Sequence, residues 1–164
     1  MAFAVRIARP PEAQTVERLL RDAAQWVDAL GVVVWDEGEL DPATIAGEVA
    51  AGQFFVAEVD GTVAGAIRFQ LEDRLFWPDI PQEESAFVHR LVVARAFKGL
   101  GVSTALLEWS VERARARGKR FLRLDCDAER AKLRALYERC GYRLHSYRQV
   151  TSYYVARYEY PLEG

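Results

Sequence analysis

The chemistry this chain can do is concentrated in one stretch, Lys98-Gly99-Leu100-Gly101-Val102-Ser103-Thr104. Glycine lets a backbone approach a ligand closely, and the first amides of a helix have no intrahelical acceptor. An apolar run from Phe87 to Val93, interrupted only by His89 and Arg90, leads into the stretch. A helical pattern of Val102, Leu106, Trp109, Val111 and Ala114 leads out of it. Strand, loop and helix in that order put the glycines at the positive end of a helix dipole, where phosphate binds readily. The stretch reads as a pyrophosphate cradle over residues 98–104, although a loop that merely turns the chain would want the same two glycines. A P-loop is excluded, because no GK[ST] triplet closes the glycine run. The dinucleotide fingerprint G-x-G-x-x-G is met at Gly99 and Gly101 but has Thr104 in third place, with Asp125 at nearly the distance of its acidic partner. Such a unit belongs early in a chain and is followed by further βαβ repeats. Here it begins past mid-chain, after what reads as adjacent short strands.

Titratable residues flank the same strand. His89 lies two residues before Leu91, and strand alternation predicts that it shares a face with Leu91 and Val93. An ordinary imidazole pKa of about 6.5 suits proton transfer near neutrality. A lone histidine in an apolar strand is more often a hydrogen-bonded core residue, so both readings stand. Glu83 and Glu84 precede the strand and could act through a water, as loop carboxylates that are otherwise simply solvated. Cys126, at the end of the next apolar run, reads as a small packing residue.

The elements that position these residues follow from periodicity and punctuation. Residues 3–8 alternate as a first strand, ended by Arg9-Pro10-Pro11. A helix is predicted from about Glu12 to Leu30, through Val16, Leu19, Leu20, Ala23, Trp26 and Val27, with Gly31 as its stop. Asp41-Pro42 opens a second helix to about Ala51. Asp60-Gly61 between Phe54–Val59 and Thr62–Phe69 signals an antiparallel hairpin. The stretch from Leu71 to Glu84, with Phe76, Trp77, Asp79 and the prolines, is irregular: a pocket wall, or a surface crossing with Trp77 folded onto the core. Arg120–Cys126 reads as a strand parallel to the one ending at Val93, Ala131–Cys140 as a short helix stopped by Gly141, and 142–150 and 153–160 as closing strands.

The 164 residues are 51% apolar and 28% charged, as expected of a single globular domain over 1–164. A net charge of -2 gives no reason to expect nucleic acid or an anionic membrane. Arg113, Arg115, Arg117, Lys119 and Arg120 read as the solvated face and end of a helix. Two cysteines, no stretch long and apolar enough to span a membrane and no signal-like start fit a cytoplasmic protein.

Lys98-Gly99-Leu100-Gly101-Val102-Ser103 resembles the Q/R-x-x-G-x-G/A signature of the GNAT superfamily, the GCN5-related N-acetyltransferases, with Lys98 for the usual Gln or Arg and Ser103 for Gly or Ala. Leu136-Tyr137 followed by Gly141-Tyr142 is similar to that family's L-Y-x-x-x-G-F/Y element, and Arg130 stands at the usual Asn position. The resemblance covers residues 87–142. It implies an α+β, three-layer α/β/α fold with a mixed, mostly antiparallel sheet splayed at its centre. Acetyl-CoA would be the cosubstrate, with no metal. Its pantetheine would pair with the backbone of Leu91 and Val93, beside Val92. The diphosphate would meet the amides of Lys98, Gly99, Leu100, Gly101, Val102, Ser103 and Thr104, with Arg130 and Tyr137 nearby.

Attack of a neutral amine on a thioester needs the reactants held together, a proton acceptor, oxyanion stabilisation and a proton for the departing thiolate. The resemblance sets Tyr137 beside the sulfur as that acid; His89 or Glu84 would be the base. Attack is direct, so no nucleophilic Ser or Cys is required. From another class, a non-catalytic CoA-binding or sensing module would keep the cradle and lack the acid and base. The acceptor, a small-molecule or peptide amine, is not written in the sequence, and the aromatics of the last strands leave a homodimer open.

Overall fold

A computed structural model describes residues 3–28, 35 and 38–162. In chain order the elements are β1 (Phe3–Ile7), α1 (Ala13–Asp28), α2 (Pro42–Ala50), β2 (Phe54–Val59), β3 (Thr62–Gln70), β4 (Ser85–Val93), α3 (Val102–Ala116), β5 (Phe121–Asp127), α4 (Ala131–Arg139), β6 (Arg143–Val150) and β7 (Tyr153–Pro161). The strands are hydrogen-bonded in the order β1-β2-β3-β4-β5-β7-β6. β4 and β5 run parallel, whereas β1–β2, β2–β3, β5–β7 and β6–β7 are antiparallel. This is the mixed, mostly antiparallel α+β sheet expected, and it excludes a doubly wound parallel sheet.

Local chemistry explains the boundaries. Pro10 and Pro11 form a 3-10 turn with Glu12, so α1 starts at Ala13 rather than Glu12. Leu30 and Gly31, the expected end of that helix, lie outside the described residues. Asp41 caps α2 by accepting from the Thr44 amide at 3.1 Å, with Pro42 in the first turn. Asp60 and Gly61 both have positive φ, 50° and 82°, the type I′ geometry whose twist matches the strands it joins.

The chain forms two compact units. One holds the residues up to Arg68 together with Arg90–Leu106; the other holds Phe69–His89 and the residues from Leu107 on. In the first, Val16, Leu19 and Leu20 of α1 and Ile45 and Val49 of α2 bury against Phe54, Val56, Ala66 and Val92. Gly65, the neighbour of Ala66, faces the other way. A Cβ there would lie 2.6 Å from the Val92 carbonyl oxygen and 3.1 Å from Val102 Cγ1. Glycine thus lets β3 lie against both the end of β4 and the start of α3. In the second unit, Trp77 is fully buried, with the guanidinium carbons of Arg157 and Arg123 at 4.5 and 5.2 Å from its ring centroid. Arg157 also donates to Asp79 Oδ1 at 2.8 Å and the Phe76 carbonyl at 3.0 Å. The irregular stretch before β4 is therefore anchored to β5 and β7, and Trp77 belongs to the core rather than to a pocket wall.

Candidate functional site

In the first unit, β4 ends at Val93, a 3-10 turn covers Arg95–Phe97, and α3 starts at Val102. Gly99 and Gly101 have φ of 78° and 87°, and a Cβ on either would meet no atom within 4 Å. Positive φ strongly favours glycine here, and the space above the loop is open. The first helical hydrogen bond is Ala105 N to Gly101 O at 3.0 Å. The amides of Val102, Ser103 and Thr104 therefore emerge from the helix N-terminus with no intrahelical acceptor, where the dipole favours an anion. These donors and the open glycines fit a diphosphate. One expected member departs: the Lys98 amide donates to the Arg95 carbonyl at 3.3 Å, closing the 3-10 turn. The Lys98 ammonium lies 4.1 Å from the Trp26 ring centroid, with the Arg95 guanidinium at 5.4 Å. Trp26, expected to face the core, is 38% exposed and carries these two cations.

On β4, Val92 is buried, Leu91 and Val93 are half-buried, and the Ala94 amide donates to the Ala64 carbonyl at 2.8 Å. Arg90 has a φ of 55°, rare for a side chain of its size, and its guanidinium is tied to Glu48 at 2.8 Å. This left-handed residue interrupts the two-residue repeat of the strand. The alternation expected to align His89 with Leu91 and Val93 therefore does not carry through Arg90.

In the second unit, His89 Nε2 is 2.7 Å from Oδ2 of the buried Asp73, and its Nδ1 is 3.8 Å from Asp125 Oδ2. Burial pushes the Asp73 pKa up, but the hydrogen bond and charge of His89 and the amides of Phe76 and Leu75 outweigh it, so the net shift is downward and the carboxylate stays ionised. One donor atom from each of the three residues lies within 4.8 Å of the others. The His89–Asp73 contact is nonetheless a hydrogen bond: two ligands of a tetrahedral zinc stand about 3.4 Å apart.

Tyr137 is buried on α4, its ring 6.0 Å from those of Tyr142 and Tyr158. Burial first, then the neighbouring Cys126 and Asp125, raise its pKa well above the ordinary phenol value, so it keeps its proton at neutral pH. Burial likewise pushes the Cys126 thiol up to about 12, which suits packing and not nucleophilic attack. Asp125 acts on both His89 and Tyr137. Arg130 takes the N-cap position of α4 without a side-chain cap. Glu84 is different: its carboxylate accepts from Arg120 at 3.1 Å, at the start of β4, about 16 Å along the strand from His89. That ion pair joins the beginnings of β4 and β5 and does not bring Glu84 to His89. Asp73 is marked by no sequence pattern, whereas Phe76, named above in the irregular stretch as part of a possible pocket wall, brings its ring centroid to 5.8 Å from that of His89. They sit on a stretch with no periodicity to read.

The model of the acetyltransferase (GNAT) family matches residues 20–142. The chain is 32% identical to the uncharacterized N-acetyltransferase YesJ of Bacillus subtilis, over 80% of this chain and 76% of that protein. A GNAT-family acetyltransferase from Streptococcus agalactiae superposes with a TM-score of 0.84 at 17% identity, covering 99% of this chain and 96% of that one. YncA of Salmonella typhimurium, solved with its cofactor acetyl-CoA, gives 0.77 at 16% identity, covering 100% and 96%. At those identities the likeness is one of fold. Among the described residues, no helix is long and apolar enough to cross a membrane.

Proposed function

The chain belongs to the acetyltransferase (GNAT) family, and from that premise we propose that it transfers an acetyl group from acetyl-CoA to an amine by direct attack in a ternary complex. The observation that carries this reading is the loop at Gly99 and Gly101, with its positive φ angles and open space, running into the amides of Val102, Ser103 and Thr104, which have no acceptor within the helix. Acetyl-CoA supplies a thioester carbonyl open to attack. The loop holds its diphosphate, and the β4 backbone at Leu91 and Val93 aligns its pantetheine arm. His89 takes the proton of the amine, and Tyr137, kept protonated by burial, donates to the departing thiolate. No covalent carrier is needed, in keeping with the high pKa of Cys126.

Thermal unfolding with and without acetyl-CoA, paired with CoA release over a panel of amines, tests the proposal. A ligand at a hundred times its Kd stabilises the native state by about 2.7 kcal/mol. Gly101→Val, which forces a β-branched residue to a φ of 87°, is expected to abolish that stabilisation. Stabilisation by NAD and not by acetyl-CoA or CoA would refute the cradle reading. Stabilisation by acetyl-CoA with no turnover on any amine would leave a binding module instead of an enzyme.

A further inference from the structure

The contact between β4 and the stretch before it points to a residue outside the family motifs. Asp73 is held from several sides. Its amide donates to Gln82 Oε1 at 2.7 Å, its carbonyl accepts from the Trp77 amide at 3.1 Å, and its Oδ1 accepts from the Phe76 amide at 3.0 Å. Gln82, itself buried, donates to the Trp77 carbonyl at 2.6 Å. What remains of the carboxylate, Oδ2, meets His89 Nε2 at 2.7 Å. Among the groups facing the imidazole are Asp73 from this stretch, Asp125 from β5 at 3.8 Å from Nδ1, and the Phe76 ring. An ionised acceptor at Nε2 requires a proton on Nε2, which makes Nδ1 the accepting nitrogen of the neutral ring. We propose that Asp73 is a positioning residue: it locks His89 in the Nε2–H tautomer and directs Nδ1, on the side of Asp125, to take the proton of the acceptor amine. This rests on the reading of His89 as the base. The anchored loop gives the dyad a fixed geometry, and two carboxylates near one imidazole favour its protonated form.

The test begins with the wild-type protein. Only two histidines are present, so nitrogen-15 NMR of the ring nitrogens, with His145→Gln for assignment, reports the His89 tautomer and titration directly. The Nε2–H tautomer is expected, and a ring protonated on Nδ1 alone would overturn the proposal without any variant. In Asp73→Asn the His89 midpoint is expected to fall by about one pH unit or more and the tautomer preference to weaken. The acidic limb of kcat/KM is expected to move down with it, and the plateau to fall about tenfold or more. An unchanged midpoint and tautomer in Asp73→Asn would overturn the positioning role. A shifted NMR titration with an unmoved pH–rate profile would instead refute His89 as the base, and with it the catalytic meaning of the dyad.

Discussion

Gly65→Ala tests the junction on which the candidate cradle depends. The added Cβ would stand 2.6 Å from the Val92 carbonyl oxygen, 3.1 Å from Val102 Cγ1 and 3.4 Å from Leu106 Cδ1. Carbon–oxygen contacts in sheets lie at about 3.3–3.6 Å, so about 0.7–1 Å of separation must be found between β3, the end of β4 and the start of α3. Side-chain rotation cannot provide it, because the nearest atom is backbone. Overpacking of this kind costs about 1–3 kcal/mol, and at this chain length each kcal/mol lowers Tm by about 2–4 °C. A fall of about 2–12 °C is expected by differential scanning calorimetry, with a smaller thermal shift on adding acetyl-CoA, since both ends of the glycine loop are displaced. Gly47→Ala is the control. Gly47 lies within α2 with no atom within 4 Å of its Cβ position, so alanine there should stabilise by about 0.5–1 kcal/mol. If Gly65→Ala melts with the wild type, or moves Tm upward with Gly47→Ala, the close-approach argument is wrong.

Tyr137→Phe keeps the ring packed against Tyr142 and Tyr158 and removes only the proton; kcat is expected to fall about 10²–10⁴-fold with acetyl-CoA affinity little changed, and an undiminished single-turnover rate would exclude it as the acid. Cys126→Ala should leave kcat within a few-fold of wild type and trap no acyl-protein in mass spectra of quenched reactions, because the buried thiol, with a pKa of about 12, is not a nucleophile at neutral pH. Arg6, which donates to both Glu12 and Glu58, holds the Glu12 carboxyl down at about 2, chiefly through its hydrogen bond. A depressed carboxyl pKa adds stability above its unfolded value, near 4.5, that is lost as pH falls through about 2. Arg6→Met should therefore lower Tm at pH 6 and lose that deficit at pH 2; an equal deficit at both pH values would mean that packing, not ionisation, is responsible.

Local rules carried most of the fold. The hairpin at Asp60-Gly61, the Asp41 cap and the helix after Gly101 all follow from short-range steric and hydrogen-bonding preferences that the residues carry with them. The backbone geometry of the candidate cradle was legible for the same reason, since positive φ and first-turn amides without an intrahelical acceptor are properties of a few consecutive residues. The acid–base neighbourhood was not. Asp73 and His89 meet because a stretch without periodicity is pinned by Gln82, Arg157 and the burial of Trp77, contacts between residues far apart in the chain. Arg90 shows the same limit at shorter range: alternation predicts one face for His89, Leu91 and Val93, but a left-handed φ supported by an ion pair to Glu48 breaks the repeat. Glu84, the second candidate for the base by its place before β4, is turned to Arg120 across the first residues of the parallel pair. Sequence determined which groups the chain offers for proton transfer; only tertiary packing decided which nitrogen of His89 a buried carboxylate would hold, because that depends on a charge brought from another part of the chain.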